Sequence, residues 1–140
     1  TQGYSSAASD VYKRQVIDVA AKLCSMINVL NYKLSKKKYE KIDVGIGIDD
    51  GVALMVKAGY SGSGLNDVIW MGDVVNSACH LANKAGRDFR EPILITSKVY
   101  NNVLEATQKL LTKCTVDGTT YYEGNIIWDP IENWYKENCR

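Results

Sequence analysis

Apolar residues recur at helical spacing between Val16 and Leu34: Ile17, Ala20, Ala21, Leu23, Ile27 and Leu30. That period predicts an amphipathic helix packed on a larger body. The run Ser35–Lys41, SKKKYEK, is polar and reads as a solvated connection. Beyond it the period changes to two. Val44, Ile46 and Ile48 alternate, Asp49-Asp50-Gly51 follows, and Val52, Leu54 and Val56 alternate again. Asp-Gly between two alternating runs predicts a β-hairpin. Gly45 and Gly47 fall on the other face of the first strand, where a second backbone or a ligand can approach closely.

Gly59–Gly64, GYSGSG, is a glycine-rich loop. A phosphate cradle needs such a loop to enter a helix. This one enters Val68-Ile69-Trp70, which reads as a short strand, so a loop near a site is preferred to a P-loop. Gly72–Ala85 is helical, with Val74, Ala78, Leu81, Ala82 and Ala85 on one stripe and Gly86 as its stop. Pro92–Thr96 is a short buried strand, and Ser97 is expected to cap a short helix running to Val103 or a little beyond. Tyr121–Trp128 reads as a strand and Pro130–Lys136 as a helical turn or two. Strands and helices interleave, so the fold class is α/β or α+β.

Composition narrows the functions this frame can carry. One domain fits 140 residues, and 46% hydrophobic residues suffice for a core. A net charge of +1 argues against a nucleic-acid or membrane-surface binder. No apolar run reaches the roughly 18 residues of a membrane span, and no secretory signal opens the chain. Cys24, Cys79, Cys114 and Cys139 are scattered with no CxxC pair, so reduced thiols in a cytoplasmic protein are expected rather than disulfides or zinc. Ser5–Gln15, SSAASDVYKRQ, has no strand alternation and only a weak helical stripe. An in-frame translation of a transposase-type sequencing adaptor gives the same residues. Residues 1–15 are therefore expected to be a non-native leader, against the alternative of a natural polar tail, and residues 16–140 part of one domain.

Candidate chemistry concentrates on the second helix. Asn76, His80 and Lys84 are four apart, and each step of four turns the direction by only about 40°. The three share one polar face, which is either a polyanion site or solvated surface. His80 is the only histidine, and no metal-ligand cluster is present.

The order of the motifs goes further than any one of them. GIGIDDG at Gly45–Gly51, a glycine-rich loop, IWMGDVVNSACHLA at Ile69–Ala82 and EPILITSKVYNNV at Glu91–Val103 resemble the C-terminal half of a class III nucleotide cyclase domain. With the tail IENWYKEN, the likeness is closest to the bacterial anti-phage pyrimidine cyclases of Pycsar systems. The resemblance implies a ferredoxin-type sheet with flanking helices, incomplete at its N-terminus. It implies a head-to-tail homodimer that converts UTP or CTP to the cyclic monophosphate with Mn2+ or Mg2+, and a downstream cyclic-nucleotide-sensing effector. The alternatives are a purine cyclase and a non-catalytic cyclase-like dimerisation or regulatory domain.

Residue by residue, Met71 matches the Trp or Met before the family's glycine, and Asn76 the helix asparagine that orients the ribose. His80 stands where purine cyclases usually place a phosphate-binding arginine. This is a departure, because imidazole lacks a permanent charge and a bidentate fork; Lys84 is the other candidate cation. Ile69 stands where adenylate cyclases place an acceptor for the adenine amino group. An aliphatic side chain leaves that group unpaired, which disfavours adenine. Ile69 and its neighbour Trp70 are the expected base contacts. The family's two metal-binding aspartates precede the first helix, so the metal ligands are expected outside this chain. Asp49, Asp50, Asp67 and Asp73 are poor substitutes.

Overall fold

The computed structural model describes residues 6–59 and 67–139. Helix α1 spans Ser6–Lys36. It starts well before the expected Val16 and so runs through residues 6–15. Strand β1, Ile46–Ile48, is followed by β2, Leu54–Ala58, and β3, Asp67–Met71. Helix α2 covers Asp73–Lys84 and leads into β4, Ile93–Thr96. Two single-turn helices follow, α3 at Ser97–Tyr100 and α4 at Glu105–Gln108. Strands β5, Thr112–Val116, and β6, Thr119–Gly124, precede helix α5, Asp129–Asn138. The architecture is mixed α/β, as the alternation of periods predicts.

Four strands form the main sheet in the order β1-β4-β6-β5. β1 and β4 are parallel, with Ile46 opposite Ile93, and the other two pairs are antiparallel. The pleat of β4 sorts its side chains onto two cores. Ile93 and Ile95 meet Ile48 and, from α1, Ile17 and Ala20. Leu94 points to the opposite face and meets Leu81 of α2, the C-cap residue Ala85 and Val116 of β5. The two helices thus cover opposite faces of one sheet. The inner face of α1 carries Ala20 and Ala21, both buried. The buried Ser25 hydroxyl accepts a bond from the Trp128 N–H at 2.8 Å, tying α1 to the chain entering α5.

The expected hairpin across Asp49-Asp50-Gly51 does not form. β1 pairs with β4, whereas β2 pairs antiparallel with β3 in a separate two-stranded ribbon. A two-residue type I′ turn needs positive φ at both central residues. Neither Asp50 nor Gly51 has it, while Asp117 (φ 49°) and Gly118 (φ 79°) do. The Asp-Gly hairpin is the one between β5 and β6. The close approach expected at Gly45 and Gly47 is present: a Cβ on either would collide with the backbone of α2 around Ala78, Ala82 and Ala85.

Two smaller expectations also change. Leu23 and Leu30 lie on the outer, exposed face of α1, because Ile17, Ala20, Ala21 and Ser25 already define its core stripe. Thr96, not Ser97, caps α3, accepting from the Val99 N–H at 3.4 Å. Ser97 instead donates to the Thr120 carbonyl at 3.0 Å. Gly86, with φ 67°, ends α2 as expected. Most of the glycine-rich loop falls in 60–66, outside the described residues. Among the described residues no helix is long and apolar enough to cross a membrane.

Candidate functional site

The C-terminal ends of the parallel strands β1 and β4 meet the first turns of α2, and Asp49 joins the three. Its carboxylate accepts from the Thr96 hydroxyl and from the Asp50 N–H, each at 2.8 Å, and from the Ser77 hydroxyl. Burial works to raise the Asp49 pKa. The bonds from Ser77, Thr96 and Asp50, with the Lys98 charge, prevail and hold it below the usual carboxylate range. Lys98 also caps the carbonyl of Asp50 at 2.6 Å. This node fixes the turn of α2 that carries Asn76, the residue before Ser77.

Asp49 also makes a pH prediction. Its folded pKa is depressed, so its stabilisation is present above the ordinary carboxyl pKa of about 3.9 and is lost as pH falls through the lower folded value. Asp49→Asn is expected to lower the urea midpoint at pH 7 and to leave a shallower loss of stability below about pH 4. Urea titrations of both proteins between pH 3 and 7 check this. Parallel acid limbs would remove Asp49 as the cause.

Outward from the node, α2 presents Asn76, His80 and Lys84, all reaching solvent, as the four-residue spacing predicts. The two cationic positions are not empty-handed. His80 Nε2 lies 3.1 Å from Asp117 Oδ2, and Lys84 Nζ lies 3.6 Å from the same oxygen. Asp117 belongs to the β5–β6 turn, which folds over the end of α2. The His80 hydrogen bond, then the Lys84 charge, keep its carboxyl below the usual range. With side chains 52% and 62% exposed, the His80–Asp117 contact is a weak, exchangeable surface pair. Sequence reasoning missed Asp117. The signal was available, since Val116-Asp117-Gly118-Thr119 is an Asp-Gly turn between two alternating runs.

Ile69, Trp70 and Met71 lie on β3, half exposed. Strand alternation separates them. Ile69 shares a face with Val56, its cross-strand partner, and Trp70 shares the other with Met55. The two expected base contacts therefore do not line one pocket within a single chain. Both faces of the ribbon are apolar and open, with Leu54, Met55, Val68, Ile69 and Trp70 each at least 47% exposed. A cavity of about 250 Å³ lies elsewhere, between α1 and the segment around Gly86–Pro92, and contains none of the ladder residues.

The residues present do not fit a divalent metal. Asp49 is consumed by its three donors, and Lys98 sits 3.6 Å from Asp50. Asp73 is the first residue of α2 behind the cap Gly72, a position that favours the helix dipole rather than an ion. No three His, Cys, Asp or Glu side chains converge among the described residues.

The chain is 34% identical over 122 residues to a uridylate cyclase of Treponema porcinum, covering 86% of this chain and 43% of that protein. It is 37% identical over 127 residues to a uridylate cyclase of Gulbenkiania mobilis, covering 81% of this chain and 49% of that protein. The likeness to uridylate cyclases is borne out. This chain spans less than half the length of either relative. No family model and no solved structure matches it.

Proposed function

We propose that this chain is the C-terminal part of a class III pyrimidine nucleotide cyclase. The likeness to two uridylate cyclases across more than four-fifths of its length carries the reading. The substrate is UTP or CTP. The ribose 3′-oxygen attacks the α-phosphorus and loses its proton, and the bond from phosphorus to pyrophosphate breaks. Asn76 orients the ribose, while His80 and Lys84 meet the phosphates after exchanging Asp117 for them. A divalent metal, Mn2+ or Mg2+, would be held by ligands other than these residues and would stabilise charge on the triphosphate. The open ribbon faces support a homodimer in which the base sits between subunits, so that Ile69 and Trp70 serve through different faces. The cyclic product would signal to a nucleotide-sensing effector in anti-phage defence.

The test is an enzyme extended to the length of its relatives, incubated with each of the four triphosphates and manganese, with the cyclic product identified by mass. Pyrimidine products are expected and ATP is expected to be rejected, because Ile69 offers no acceptor to adenine. Ile69→Asp is expected to cut kcat/KM for UTP about tenfold, by setting a carboxylate against a carbonyl of uracil, whereas the amino group of cytosine could pair with it. Preference of the wild type for ATP would overturn the assignment. The present chain alone is expected to give no product. One observation favours a non-catalytic reading: Asp117 Oδ2 already lies 3.1 Å from His80 Nε2 and 3.6 Å from Lys84 Nζ. Failure of the extended enzyme on all four substrates would decide for that reading.

A further inference from the structure

One carboxylate oxygen, Asp117 Oδ2, meets His80 Nε2 at 3.1 Å and Lys84 Nζ at 3.6 Å, bridging two successive turns of α2. It stands where an anionic ligand of those two groups would stand. The bridge is built into the fold. Val116, 3% exposed, shares a core cluster with Leu81 and Ala85, the residues that follow His80 and Lys84. From the segment after α2, Arg90 donates to the Thr115 carbonyl at 3.1 Å. Two neighbours thus fix the end of β5 against the helix. The turn beyond is tight, with φ 49° at Asp117 and 79° at Gly118. Aspartate tolerates that left-handed backbone. Core packing and turn geometry therefore deliver the carboxylate to the cations. Only its short side chain has to rotate to release them, and the pair is exposed enough to exchange.

We propose that Asp117 is an intramolecular competitor that sets which anions occupy the α2 site: it holds both cations of the empty site, and a ligand binds by displacing it. The inference rests on the reading of His80 and Lys84 as the residues that meet phosphate. A ligand that needs the open form loses affinity in proportion to the fraction of molecules in which the site is open. For an exposed carboxylate shared by two cations that fraction is about one fifth. The same factor falls on every anion. Near saturation a triphosphate loses little occupancy by it, because its larger charge starts from a stronger attraction. A weakly held ion, such as the singly charged cyclic product, loses nearly the whole factor. The carboxylate thereby clears the site of weak anions without closing it to the polyphosphate.

The displacement is read on the chain itself by NMR, since His80, the only histidine, gives a single imidazole reporter at the bridge. The probes are inorganic tripolyphosphate and orthophosphate, titrated at neutral pH without metal into wild type and Asp117→Asn. Asparagine fits the same left-handed turn position, so the fold is kept. Asp117→Asn is expected to lower the Kd of both probes by about fivefold. Equal factors mark displacement, because a carboxylate that only repelled the ligand from nearby would act more strongly on the more highly charged probe. Glu105→Gln is the control. It removes a carboxylate from the exposed Glu105–Lys109 pair on α4, and is expected to change neither Kd by more than about 1.5-fold. The proposal is overturned if Asp117→Asn binds no tighter than wild type, if the factors differ between the probes, if Glu105→Gln gives the same gain, or if neither probe binds. Neither probe can cyclise, so the outcome stands apart from turnover. An extended enzyme that converts UTP while Asp117→Asn binds no tighter retains the cyclase reading and loses the competitor; an inactive one with the fivefold gain does the reverse.

Discussion

Gly47→Val is expected to lower the stability of the chain by about 3 kcal/mol or more, enough to leave much of it unfolded. At Gly47 a Cβ would overlap the carbonyl of Ala78 and the amide of Ala82, and would lie 2.8 Å from the Leu81 Cβ. Two of these three atoms belong to the backbone of α2, so no rotamer change relieves the clash. The helix must lift from β1, and Leu81 and Ala85 then lose their places against Leu94 and Val116. Lifting α2 also pulls Ser77 from Asp49, so the damage reaches the turn that carries Asn76. Gly118→Ala is the control. Nothing lies within 4 Å of a Cβ there, and the cost comes only from φ 79°; it is expected to be about 1 kcal/mol. Thermal melts should separate the two by roughly 10 °C. A Gly47→Val protein that melts within a few degrees of wild type would mean that α2 does not pack on β1 as described.

The same glycines show what was legible in the sequence. Alternation placed Gly45 and Gly47 on one face of a strand, and absence of side chains there foretold a close neighbour. The partner of that strand was not legible. Asp50-Gly51 and Asp117-Gly118 are the same dipeptide between alternating runs, and only the second turns with positive φ at both residues. The first is pre-empted by long-range bonds from Thr96 and Ser77 to Asp49, which no local pattern contains. Periodicity likewise found α1 but mixed its two faces. Leu23 and Leu30 are as apolar as Ile17, and only the sheet decides which stripe is buried. At the site, a spacing of four correctly put Asn76, His80 and Lys84 on one face. Asp117 escaped because it is 37 residues from His80 along the chain.

Asn76 provides the sharpest functional expectation. Its amide reaches solvent from a turn held by Asp49, and its side chain has no partner among the described residues. A neutral amide adds little to the ground-state binding of a triphosphate, whose charge is met by cations. On the proposed cyclase reading, its value would arise when the 3′-oxygen closes on phosphorus and the ribose must be held in one orientation. Removing a single oriented donor of that kind typically costs about 10²–10³ in kcat. In the enzyme extended to the length of its relatives, Asn76→Ala is therefore expected to reduce kcat at least about a hundredfold while KM changes less than about threefold. His80→Gln and Lys84→Gln are expected to act the other way round, chiefly on KM, because on that reading they would meet charge already present in the substrate. Steady-state kinetics with UTP and CTP on the three variants read this split directly. Equal kcat for Asn76→Ala and wild type would reduce the α2 ladder to solvated surface. The cyclase reading would then have to place its ribose contact elsewhere.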